Sequence, residues 1–278
     1  MTQLQELSLF SSLPPGRLAQ ALSALSASTG MRPIKLLKQH IVFAPSTPGQ
    51  SGDGSMGPQN AGSGTLLEAS RLTASRDLLP ASDDSARIGK AGNETDEENL
   101  DPVAEWSLSI PSVPESGKQP VQVQAISKTN FGPVPLTSKS DSTRILFRFL
   151  RALNYVYAYD YLEQGYAFVH SGRVIITISQ ISPQNPLQLH EIPSSSSDEL
   201  VAESVAKGRD SAHARFVGTW IVHAYVEILT GSETVGDDLE KNKTAIERLE
   251  AVKAELSGVI DLEVPDRVVL DPRVQLRR

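Results

Sequence analysis

The chain has 278 residues, 39% of them hydrophobic and 21% charged, with a formal net charge of −7 and no cysteine. The missing cysteines exclude disulfides, thiolate nucleophiles and every cysteine-based metal site, and they fit a reducing compartment such as cytosol or nucleus. Ten acidic residues against four basic ones fall within 46–101, so the rest of the chain sums to only −1 and lacks the basic field that draws phosphate backbones.

Direct nucleic-acid binding is therefore not expected. Residues 1–5 show no secretory signal, and no apolar run approaches the ~18 residues of a membrane span.

Leucines alternate with Glu6 and Ser8 over 4–10, which predicts a half-buried strand. Pro14 and Pro15 then open a helix with Leu18, Leu22 and Leu25 on one face and Gly30 as its stop. An extended stretch follows over 34–43.

From Ala44 the composition changes. Pro, Gly, Ser, Gln and Asn dominate 45–64, and Asp and Glu crowd 83–101. Such a stretch buries too little apolar surface to offset its ordering entropy, so 46–101 reads as a flexible acidic insertion with a short helix near 66–72.

Strands are expected again over 103–110 and 120–127. In the second, Val121, Val123 and Ala125 share one face, and Gln122 and Gln124 mark a solvated one. Asp141 can cap a helix to Leu153 with the stripe Ile145, Leu146, Phe149 and Leu153. Residues 166–170 and 173–181 form a hairpin about Ser171-Gly172, a two-residue loop in which glycine takes positive φ.

A second flexible loop covers 183–214, and 216–229 is a long strand suited to a curling sheet. The last helix starts at a capping box of Asp237 and Glu240 and buries Leu239, Ile246, Leu249, Val252 and Leu256. A final strand over 259–264 precedes a tail of mixed charge.

Few motifs carry chemistry. Gly52-Asp53-Gly54-Ser55-Met56-Gly57 spells a dinucleotide fingerprint, but proline and glycine flank it where a strand and a helix are needed. None of the five histidines lies three to five residues from another, and no G-x-S-x-G elbow occurs. Asp261 and Glu263, one residue apart on the expected last strand, could share a divalent cation inside a barrel.

Tyr155, Tyr157, Tyr159 and Tyr161 alternate along one strand. As one face they are either sheet core, the favoured reading, or part of a groove that binds a partner.

Strings running through the chain carry a family resemblance. They are Leu7-Ser8-Leu9-Phe10-Ser11-Ser12-Leu13-Pro14, Trp106-Ser107-Leu108, FLRALNYVYAYDYLEQ at 149–164, and the stretches 165–170 and 174–178. VPDRVVLDPRV at 264–274 completes the set.

In order and coverage they resemble subunit 18 of the Mediator complex in its fungal form. The resemblance implies an α+β fold, mainly antiparallel β: a closed β-barrel with flanking helices, forming one domain over 1–278. It also implies a nuclear, non-catalytic subunit of the Mediator head module that couples transcription regulators to RNA polymerase II.

The implied partners are Mediator subunit 20, through barrel pairing, and a C-terminal helix of Mediator subunit 8. No cofactor and no membrane contact are implied. Because that barrel resembles RNA triphosphatases, a metal-dependent tunnel enzyme using Asp261 and Glu263 is the rival expectation.

Overall fold

The computed structural model describes residues 2–46, 70–78, 106–115, 120–131, 139–171, 173–183, 218–230 and 235–273. Eight strands close into a barrel: β1 (Thr2–Leu13), β2 (Ile34–Pro45), β3 (Leu72–Asp77), β4 (Trp106–Pro111), β5 (Gln122–Phe131), β6 (Tyr155–His170), β7 (Val174–Pro183) and β8 (Trp220–Leu229). The order around the wall is β1-β5-β4-β3-β2-β6-β7-β8, and β8 pairs back with β1. Every pairing is antiparallel. Closure leaves no continuous sheet edge along the wall.

Three α-helices occur among the described residues: α1 (Leu18–Thr29), α2 (Lys139–Ala152) and α3 (Val235–Leu256). They cover the outer wall because the strands present alternating apolar residues there. Leu7 and Leu9 of β1, Ile176 and Ile178 of β7, and Val222 and Ala224 of β8 are buried with Ala21 and Leu25 of α1 and Leu249, Val252 and Leu256 of α3. A second cluster buries Ile41, Phe43, Leu72, Ala74, Trp106 and Leu108 beneath Leu146, Phe147 and Leu150 of α2.

The α1 punctuation matches the sequence: Pro15–Arg17 form a 3-10 turn at its start, and Gly30 stops it with φ 66° in the left-handed region. Arg17 donates to the Gly258 carbonyl at 2.9 Å, tying this turn to the end of α3.

Several expectations need correction. The barrel strand β3 lies inside 46–101, so that segment is not one uninterrupted flexible insertion. Of the expected helix, Leu72 opens this strand, Ser70 forms an isolated bridge to Arg273, and 66–69 lie outside the described residues, as do the fingerprint at 52–57 and 184–214 of the expected flexible loop.

Gln122 and Gln124 are buried, with Gln124 donating to the Ser112 carbonyl at 2.7 Å. They face the barrel interior, which is polar, so a polar face here does not mean solvent.

The α2 stripe is rotated: Leu146 and Leu150 are buried, but Phe149 and Leu153 are exposed. Leu239 in α3 is also exposed. Both helices begin two residues before the expected caps, so Asp141 and Asp237 lie within the first turn.

The hairpin loop spans 171–173, since His170 pairs with Val174. Arg173 takes a positive φ of 67°, and Gly172, where the positive φ was expected, lies outside the described residues. Residues 259–264 form no strand; only a bridge joins Phe10 to Glu263.

Candidate functional site: the barrel interior and its rim

Strand registers determine what points inward. On β1 and β8, Glu6 sits opposite Glu227, Ser8 opposite Tyr225 and Phe10 opposite His223. On β2 and β6, Lys38 sits opposite Glu163 and His40 opposite Tyr161. These residues alternate with the buried apolar outer face, so they line the interior. A polar cavity of about 370 Å³ is bounded by Glu6, Lys38, His40, Ser75, Asp77 and Lys128, among others.

Four carboxylates on this face each have a lysine or an imidazole beside them, Asp77 at the exposed end. His40 Nε2 meets Glu163 Oε2 at 2.9 Å, His223 Nε2 lies 3.4 Å from Glu6 Oε1, and Lys38 Nζ lies 3.9 Å from Asp77 Oδ1. Lys128 donates to Glu227. Each of these four carboxylates therefore has a basic neighbour, and no group of three or more acids and histidines able to hold a metal occurs among the described residues.

Aromatic stacking fixes the two histidines. Phe10 and His223 lie 4.3 Å apart and 8° from parallel, and His223 and Tyr225 lie 4.6 Å apart. His40 stacks on Tyr161 at 4.7 Å, and Tyr161 stacks on Tyr159 at 6.3 Å.

Burial and facing carboxylates shape the titration of these groups. Burial raises the Tyr161 phenol well above its ordinary value, with Glu163 and Tyr159 adding to the shift. Burial also raises Tyr225, assisted by Glu227, Glu6 and Glu163. Burial alone would raise Glu163, but hydrogen bonding and charge from His40, a hydrogen bond from Ser179 and the Lys38 charge together hold it below the ordinary carboxylate value.

The tyrosine ladder does not form one face. Val42 pairs with Tyr159 but Phe43 pairs with Tyr157, so Ala158 is the extra residue of a β-bulge. Above the bulge, Tyr155 and Tyr157 pack on the outer cluster under α2. Tyr157 donates to Asp160 Oδ1 at 2.7 Å, and Tyr155 donates to the Ser70 carbonyl at 3.3 Å. Below it, Tyr159 and Tyr161 face the interior.

Asp261 and Glu263 are not in the barrel. Ile260 and Leu262 are buried in the layer beneath α3. Their two neighbours therefore point away from it to solvent. Asp261 Oδ1 accepts the Gly258 N–H at 3.0 Å, and Glu263 exchanges two 2.8 Å backbone bonds with Phe10 at the end of β1. The tunnel-enzyme expectation built on this pair is overturned.

The sequence reading missed the interior network. Its signal was the spacing Lys38-x-His40, Tyr161-x-Glu163 and His223-x-Tyr225-x-Glu227, each a set of polar residues two apart within a strand.

Comparison with known proteins gives the same fold and names the family. The Med18 protein family matches residues 5–273. The chain belongs to the Med18 protein family. A full-length relative is Mediator of RNA polymerase II transcription subunit 18 from Yarrowia lipolytica, 28% identical across 98% of this chain and 100% of that protein. The protein of the same description from Saccharomyces cerevisiae is 25% identical across 61% of this chain and 45% of its own length. Among solved structures, a chain of the Schizosaccharomyces pombe Mediator head module has the same fold, with a TM-score of 0.55 at 16% identity over 94% of this chain and 98% of that one.

Proposed function

We propose that this Med18-family chain is a non-catalytic scaffold subunit of the Mediator head module, acting in the nucleus as a single barrel domain. In this reading it couples transcription regulators to RNA polymerase II through protein–protein contacts. The observation that carries it is the family match along nearly the whole chain, with a Mediator subunit similar from end to end.

The interior chemistry supports the reading. A metal-dependent hydrolase needs carboxylates free to hold the ion, and cations free to hold the departing anion. Here Glu6, Glu163 and Glu227, with Asp77 at the exposed end, each have a lysine or imidazole neighbour.

The proposed partners are Mediator subunit 20, through pairing of the two barrels, and the C-terminal helix of Mediator subunit 8. Exposed apolar side chains at Phe149, Leu153, Val156 and Tyr159 offer surface for such contacts. The test is co-expression of the full chain with these two subunits, followed by gel filtration. Co-elution at fixed stoichiometry is expected; elution as a lone monomer in every pairing contradicts the proposal.

A further inference from the structure

The segment 264–273 lies across the barrel as a strap anchored at both ends. Ile260 and Leu262, just before it, are buried in the layer beneath α3, and Pro272 near its far end is buried again. Between these anchors the chain arches through a 3-10 turn, Arg267–Leu270, and the Asp266 side chain accepts the Val268 N–H at 3.0 Å. Val268 and Val269 on the arch are 71% and 76% exposed, so its middle stands clear of the wall.

The fastenings of the strap fall on strands distant from one another in sequence. Glu263 exchanges its two backbone bonds with Phe10 of β1, and Gln124 of β5 donates to the Leu270 carbonyl at 3.4 Å. The Arg71 N–H donates to the Pro272 carbonyl at 3.1 Å, and Ser70 and Arg273 form a bridge. Asp271 orders this far end, accepting the Arg273 backbone N–H at 3.0 Å and its Nε–H at 2.8 and 2.9 Å. The strap therefore runs from β1 past β5 to the residues that lead into β3, spanning the arc β1-β5-β4-β3 of the wall.

β3 is six residues long and forms one side of the polar cavity, through Thr73, Ser75 and Asp77. A strand opens most readily from its ends, where the terminal pairs separate without breaking the whole ladder. At the Leu72 end of β3 that separation must also break the contacts of Ser70 and Arg71 with the strap.

We propose that the C-terminal strap is a latch on β3. Docked, it holds the residues that lead into β3 against the rim. Lifted, it lets β3 leave the wall ahead of the other strands and opens the polar cavity on that side. The inference goes beyond the scaffold reading and does not depend on it.

Because the chain has no cysteine, Ser70→Cys/Arg273→Cys introduces its only two thiols. Facing residues of an antiparallel bridge have Cα atoms about 4.5–5.5 Å apart, inside the range of about 4.4–6.8 Å that a disulfide spans. Reduced, the variant lacks the Asp271–Arg273 pair; oxidised, the strap is tied to the start of β3 by a covalent bond. Amide exchange of the full chain is followed at 72–77, with 174–183 of β7 as the reference. Asp271→Ala, which keeps Ser70 and Arg273, is measured beside it.

In the reduced variant and in Asp271→Ala, exchange at 72–77 should quicken by about tenfold or more while 174–183 is unchanged, because a few lost hydrogen bonds shift a local opening by that much. Oxidation should return 72–77 to the rate of the unsubstituted chain or below it. The proposal is overturned if 72–77 exchanges equally in the reduced and oxidised forms, or is unchanged in Asp271→Ala. It is also overturned if 72–77 and 174–183 quicken together or the barrel unfolds on reduction, since the strap then supports the whole fold. Failure of the two thiols to join under oxidant contradicts the bridge itself.

Discussion

Gly165 pairs with Ser179 across the β6–β7 ladder, and substituting it tests the barrel wall directly. A Cβ at this position would lie 2.0 Å from the Ile178 carbonyl oxygen, 2.7 Å from Ser179 Cα and 2.9 Å from the Ile178 carbonyl carbon. All three atoms are backbone, so no rotamer change relieves the clash. Restoring contact near 3.2 Å requires β7 to retreat by about 1 Å, on the scale of the close-packed spacings of a protein interior.

That shift strains the ladder from Tyr161–Pro183 to His170–Val174. It also displaces Ser179 from Glu163 inside the barrel. Overpacking of this severity costs about 3 kcal/mol. The assay is urea unfolding of Gly165→Ala beside Gly16→Ala, whose Cβ would meet nothing within 4 Å. The first variant should lose about 3 kcal/mol, and the second should change by no more than about 1 kcal/mol. Equal stabilities for the two variants would refute the β6–β7 geometry.

Three further perturbations probe the layers around that wall. Tyr161 and Tyr225 have raised phenol pKa values, so above about pH 10 the unfolded chain releases protons that the folded chain keeps, and stability falls as pH rises. Phenolate absorbance should show two of the six tyrosines ionising only on unfolding; complete titration of the native protein contradicts this.

Glu163 is shifted the other way. Its contribution is complete above the ordinary carboxylate range and disappears as pH falls through its lowered pKa, so Glu163→Gln should flatten the acid limb of a melting curve. An unchanged limb would show that the His40 pair is not linked to folding.

On the outer layer, Leu249→Ala should cost about 2–5 kcal/mol. Leu239→Ala, at a side chain 73% exposed, should cost under about 0.5 kcal/mol in the same denaturant assay.

The sequence made the strand-rich plan and most element positions legible because alternation and helix punctuation are local signals. The turn from Pro15 to Arg17 and the stop at Gly30 needed nothing beyond the chain itself. β3 was not legible: its six residues, Leu72–Asp77, lie between stretches of disorder-like composition, and its stability comes from neighbours distant in sequence.

The split of the tyrosines was equally hidden. One extra residue at Ala158 reverses which face the later tyrosines occupy, and no composition signal announces a bulge. Gln122 and Gln124 were misread because a closed barrel has a second, interior face that can be polar and buried. The same blindness concealed the pairing of Glu6 with His223 and of His40 with Glu163, since only the pairing of strands distant in sequence brings those residues together.

The most direct measurement is purification of the tagged 278-residue chain, at native salt, from cells that express it. Companion stoichiometry and metal-dependent phosphate release would both be measured, with a Glu6→Gln/Glu227→Gln variant in parallel. A scaffold should recover subunits 20 and 8 in equal amounts, release no phosphate from nucleoside triphosphates with Mg²⁺ or Mn²⁺, and keep its companions in the variant. A solitary chain whose phosphate release depends on Glu6 and Glu227 would contradict the account.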